Sequence, residues 1–144
     1  MADSKTSHNQ LLVENHDEGS DYSAVFEDDG KVAYAYLLKG ADIVADVWLY
    51  NHGEPPDEPE WEDPSRMPFA NPEGFANPEP FKPVIDASEV GFKWVEGNPP
   101  TLKIFIRGES FAKLIPGSKP GWSKLAIRDG PLALVLREDG LNER

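Results

Sequence analysis

Cysteine is absent from the chain of 144 residues. That removes disulfides, thiolate chemistry and zinc sites built on sulfur. Histidine is scarce: His8, His16 and His52 are the three present. None accompanies a G-x-S-x-G elbow, so a Ser-His-Asp constellation has no support, and surface positions are expected for all three. No apolar run approaches the roughly 20 residues that span a bilayer. The opening MADSKTSHNQ is polar and lacks the apolar stretch of a secretory signal. These absences point to a cytoplasmic protein with no membrane segment.

Basic residues are also few. Lys and Arg number 14 against 26 Asp and Glu, for a formal net charge of −12. The imbalance is local: residues 1–50 hold 10 acids and 3 bases, 51–80 hold 8 acids and one base (Arg66), and 81–144 hold 8 acids and 10 bases. Such a field repels phosphate backbones and anionic lipid, which argues against nucleic acid and membrane as partners. A basic protein is the partner it would steer in.

What the chain has in quantity is turn chemistry. The 14 prolines and 12 glycines argue against a helical bundle. A flexible tail is expected over 1–9, one β domain over 10–137 and a charged tail over 138–144. An edge strand fits 10–14. Runs at 22–27 and 31–38, joined by Asp28-Asp29-Gly30, read as a hairpin. The second run is apolar on both faces, as a covered central strand would be. Over 42–50, strict alternation puts Ile43, Ala45, Val47 and Leu49 inward, with Trp48 and Tyr50 outward. Further runs fall at 90–95, 101–107, 110–115, 122–127 and 132–136. The fold expected is mainly β: an antiparallel β-sandwich or partly open barrel of about seven short strands, with little helix beyond a possible turn at 86–89.

Between the halves lies an acidic, proline-rich loop over 51–83 with nine of the 14 prolines. That density excludes a ladder or a helix, and the length marks a functional or disordered segment. Trp61, Met67, Phe69, Phe75 and Phe81 argue for order, since leaving each in water forgoes roughly 1.5–3 kcal/mol of burial. Phe69, Phe75 and Phe81 are expected to pack on the sheet, with Asn-Pro turns between them. FANPE occurs at 69–73 and again at 75–79, too short a unit for a structural repeat.

No catalytic or cofactor motif stands out. Gly117 to Lys124 fails the order of a phosphate loop. Glu27-Asp28-Asp29-Gly30 lacks the ligand spacing of a calcium loop and reads as a turn. Asp42 with Asp46, and Glu54 with Asp57 and Glu58, are acidic pairs whose separation the sequence does not fix. No cofactor or metal is expected. The candidate binding residues are the loop acids Glu54, Asp57, Glu58, Glu60, Glu62 and Asp63, the loop aromatics Trp61, Phe69 and Phe75, and the strand aromatics Trp48 and Tyr50.

At "VFEDDGKVAYAYLL" (25–38), "ADIVADVWLYN" (41–51) and "LKIFIRGESFAKLI" (102–115) the chain resembles a family of small bacterial proteins known only as a domain of unknown function. The resemblance covers about half the chain and rests on turn and strand signals. It implies a small bacterial protein and no function; the loop 52–83 is longer than the family pattern.

Three readings fit these residues. The first is a non-enzymatic protein-binding module, concretely an immunity-type inhibitor of a basic toxin. The second is a small-ligand protein or hydrolase whose pocket gathers carboxylates such as Asp42 and Asp46. The third is a structural subunit, a homodimer through an exposed edge strand rather than a monomer.

Overall fold

Tight turns wind the first half of the chain into an antiparallel meander. The computed structural model describes residues 10–137; the tails expected over 1–9 and 138–144, and His8, lie outside the described residues. The strands are β1 (Leu11–His16), β2 (Tyr22–Asp28), β3 (Val32–Lys39) and β4 (Asp42–Asn51), in the order β1-β2-β3-β4. The Asp-Asp-Gly turn works as its chemistry requires. Asp28 Oδ1 accepts the Gly30 N–H at 2.9 Å, and Asp29 Oδ1 accepts those of Lys31 and Val32 at 2.9 and 3.0 Å. Gly30 takes φ 93°, the region glycine enters without a Cβ penalty.

The second half forms a five-stranded sheet of β5 (Val90–Val95), β6 (Thr101–Ile106), β7 (Glu109–Leu114), β8 (Trp122–Ser123) and β9 (Leu134–Val135). All neighbours are antiparallel except β8 and β9. Arg107 (φ 51°) and Gly108 (φ 82°) make the two-residue turn whose twist suits a hairpin. Seven strands are at least six residues long; β8 and β9 have two each. The strand expected over 122–127 stops at Ser123 because the loop competes for its backbone. The Asn77 N–H donates to Leu125 O and the Ile127 N–H to Phe75 O, each at 2.8 Å.

The sheets face each other across a core built from Phe26, Ala35, Leu37 and Val47 of the first and Leu102, Ile104, Phe111 and Leu114 of the second. The β4 edge is covered by the chain after β7. Gly117 N–H donates to Val44 O and Gly121 N–H to Asp46 O, both at 2.7 Å, and Trp48 N–H donates to Leu132 O at 2.9 Å. The result is a sandwich that does not close into a barrel. Among the described residues helix is confined to 3-10 turns at Pro64–Arg66 and Ala87–Glu89. The second carries a capping box between Asp86 and Glu89. Among the described residues no helix is long and apolar enough to cross a membrane.

Strict alternation fails in β4, and the cause is two β-bulges. Leu38 pairs with Ile43 and Leu37 with Ala45, leaving Val44 extra; Tyr34 pairs with Trp48 and Ala33 with Tyr50, leaving Leu49 extra. Each extra residue swaps the faces of the residues after it. Tyr50 therefore points into the core instead of outward, and Ile43 is exposed instead of buried. The first bulge also puts Asp42, paired with Lys39, and Asp46, paired with Tyr36, on opposite faces of the sheet. The two do not converge.

Gly121 sits where the chain crosses from β7 to the β4 edge. A Cβ there would lie 2.5 Å from Leu114 Cδ2 and 2.6 Å from Lys113 O. Gly121→Ala is expected to destabilise the fold by roughly 1–3 kcal/mol, read as a lowered urea midpoint with unchanged slope.

Candidate functional site

The loop 51–83 has few ladder partners of its own, so side chains projecting from the first sheet hold it. Its middle turns on Glu60, buried at 8% exposure. Glu60 Oε1 accepts the Ala70 N–H and the Lys31 ammonium, both at 2.9 Å, and Oε2 lies 3.6 Å from Arg66 Nη1. Lys31 Nζ also donates to the carbonyls of Arg66 and Pro68 at 3.1 and 3.3 Å, completing a small cage. Burial opposes ionisation of Glu60, but the Ala70 amide, the Lys31 hydrogen bond and the charges of Lys31 and Arg66 outweigh it. They hold the carboxyl below its ordinary 4.5.

Asn51 and Asn71 exchange hydrogen bonds. Asn51 Nδ2 donates to Asn71 O and Asn51 Oδ1 accepts the Asn71 N–H, each at 2.9 Å; the same Oδ1 accepts Trp48 Nε1–H at 2.9 Å. The Tyr34 hydroxyl donates to Phe69 O at 2.8 Å. Where the loop returns to the sandwich, the Tyr50 hydroxyl accepts the Val84 N–H at 3.0 Å and donates to Asp28 Oδ2 at 2.6 Å. Burial first, then the bond to Asp28, pushes the Tyr50 phenol well up. Asp28 Oδ1 lies 2.7 Å from His52 Nε2. Arg107 completes this end, donating from Nη2 to the carbonyls of Lys82 and Pro83 at 2.9 and 3.0 Å and from Nε to Glu89 at 2.7 Å.

Of the three phenylalanines, Phe81 inserts between Tyr50 and Phe111, with ring centroids 4.9 and 5.2 Å apart. Phe69 is half-buried against the core. Phe75 is edge-on to Trp61 of the loop at 5.6 Å and lies against Gly130 and Arg128, the latter 4.9 Å from its ring, rather than on a strand.

The structure divides the sequence-derived site residues. Glu54, Asp57, Glu58, Glu62 and Asp63 are exposed. The first four make no carboxylate hydrogen bond or ion pair with another described residue. Asp63 caps the 3-10 turn, accepting Ser65 Oγ–H at 2.7 Å, which holds its carboxyl below the usual range. Trp61, Phe69 and Phe75 are half-buried. Three candidates are corrected. Trp48 and Tyr50, at 1% and 0% exposure, present no surface to a partner, because the loop closes over the first and a bulge turns the second inward. Glu60 points into the cage rather than outward. Asp46 is half-buried beside Tyr36, its carboxyl raised by burial against the opposing charge of Lys119.

Sequence reasoning missed Asp28 and His52, which with 82–85 form the wall of a cleft of about 530 Å³. His52 is half-buried there rather than on the open surface. One signal was available: Asp28 continues the inward set of Ala24 and Phe26, an acid on the apolar face of an alternating strand. Among the described residues no group of three or more His, Cys, Asp or Glu could hold a metal ion. No family model, curated protein or solved structure matches the chain.

Two expectations test these anchors. Tyr50→Phe keeps the ring contacts but leaves the Val84 amide and one Asp28 oxygen without a partner. It should cost about 1–3 kcal/mol in chemical denaturation. Glu60 has a depressed folded pKa, so its stabilisation is fully present above 4.5 and is lost as pH falls through the lower folded value. Glu60→Gln should be less stable than wild type by roughly 1–2 kcal/mol at pH 7. That gap should narrow as pH drops below 4.5, which unfolding measured from pH 7 to pH 3 would show.

Proposed function

We propose that this protein is a non-enzymatic binding module that takes a basic protein on the exposed side of the loop 51–83. The observation that carries this reading is the display of Glu54, Asp57, Glu58 and Glu62, exposed and without counter-charges among the described residues, on a loop whose flanks are fastened from beneath. A partner meeting such a loop has less chain to immobilise than one meeting a free coil, so less of the contact energy is lost to ordering. Charges at the rim of an interface act mainly on encounter rate and specificity. An immunity-type inhibitor of a cationic toxin, such as a nuclease, is the concrete form, in a bacterial cytoplasm.

The test begins with capture of partners by tagged protein at low and high salt, then kinetics on any basic protein retained. Neutralising Glu54, Glu58 and Glu62 together to Gln should slow association about tenfold at low salt with little change in dissociation or melting temperature. Glu60 stays untouched because it holds the loop. Association rates that do not respond to these substitutions would sink the proposal.

A further inference from the structure

A second site is carried by different residues. The cleft of about 530 Å³ beside the Tyr50 end of the loop is lined by Leu11, Asp28, His52, Lys82, Val84 and Ile85, among others. Its size is that of small-molecule sites, and its walls combine the apolar Leu11, Pro83, Val84 and Ile85 with the polar Gln10, Asp28, His52 and Lys82. The polar ones are not equivalent. Asp28 is 1% exposed and its carboxylate is engaged by Gly30 N–H, the Tyr50 hydroxyl and His52 Nε2. It orients the imidazole and has little capacity left for a ligand. Lys82 is exposed, and its ammonium has no hydrogen bond or ion pair with another described residue. Ile85, at 78% exposure, leaves a large apolar side chain in water at the same wall.

We infer that this cleft binds a small amphipathic organic anion, with a carboxylate received by Lys82 and His52 and an apolar body laid along Leu11, Val84 and Ile85. A cationic ligand would meet the Lys82 ammonium, unpaired among the described residues, and the internally engaged Asp28 carboxylate, so the wall discriminates by charge. An anionic head gains charge-assisted hydrogen bonds, stronger than neutral ones. The apolar tail removes the exposed face of Ile85 from water.

The probes are octanoate, octylammonium and octanol, which share an apolar body and differ in head charge, titrated into the full chain with NMR detection of the His52 ring. Octanoate should shift the His52 resonances and bind at least about tenfold more tightly than the other two. Lys82→Gln, at an exposed position, should weaken octanoate by about tenfold while leaving octanol unchanged. Ile85→Ser should weaken octanoate and octanol alike. No octanoate binding, equal binding of the three probes, or octanoate binding that ignores Lys82→Gln would overturn the assignment.

Discussion

Every proline removes a backbone donor, and a segment with nine of them has no ladder with which to fasten itself. In this protein the fastening is done by one end of the first sheet. Register aligns Asp28 with Ala33 and Ala33 with Tyr50, and Val32 with Asn51. Asp28, Tyr50 and Asn51 are thereby gathered beside the turn that carries Lys31. From this corner come the acceptors and donors that satisfy the loop at Phe69, Asn71 and Val84 and shape the cage around Glu60. Buried polar groups are costly unless paired, so the corner and the loop are each acceptable only because the other is present. The one exception is Asn71 Oδ1, which is buried without a protein partner among the described residues.

The strands and turns were legible because their signals are local. Asp-Asp-Gly, Lys39-Gly40 and Arg107-Gly108 fall where the chain reverses, and β3 is apolar on both faces because loop and second sheet cover it. What was not legible depended on distant neighbours. A bulge inserts one residue with no compositional mark, so the alternation that holds for Ala45 and Val47 fails beyond each insertion, at Ile43 and at Tyr50. Among the six candidate acids of the loop, nothing local distinguishes Glu60 from Glu58 or Glu62; the distinction comes from Lys31, 29 positions away. Asp28 and His52 are 24 apart and meet only because β2 and β4 flank β3. The aromatic character of the loop pointed to packing on the sandwich, and Phe81 does pack against the core. It did not reveal that Phe75 would pack on Trp61 rather than on the sheet.

Charge is also divided between the faces. The acids sit on the loop that covers the outer side of the first sheet, whereas Lys93, Lys103 and Lys113 stand opposite one another across β5, β6 and β7. The row ends at Trp122, with Lys113 Nζ 4.7 Å from its ring centroid. Like charges opposite each other in a sheet oppose pairing; the ring of Trp122 offers one of them partial relief. The loop acids and the Lys93–Lys103–Lys113 row thus lie on different faces of the molecule. The basic partner proposed above would be drawn to the face that carries the loop acids and repelled by the one that carries the lysine row.

The loop is held at separate places, and its parts therefore differ in freedom. Glu60, the Asn51–Asn71 exchange and the Tyr50–Arg107 end are distinct groups of bonds, so loss of one leaves the others to hold their own stretch. Between Gly53 and Glu60 the tie to the rest of the loop is thinner: Pro56 O accepts the Glu73 N–H at 2.8 Å. Glu54, Asp57 and Glu58 lie in that interval. Local stability depends on the number of buried contacts and bonds rather than on the stability of the whole, so the acids occupy the part of the loop most free to adjust to a partner. Their flanks are fixed by a buried carboxylate on one side and the end of β4 on the other. Fixed flanks limit the conformations the interval must give up on binding, while its own few bonds leave the carboxylates able to meet cations at more than one spacing.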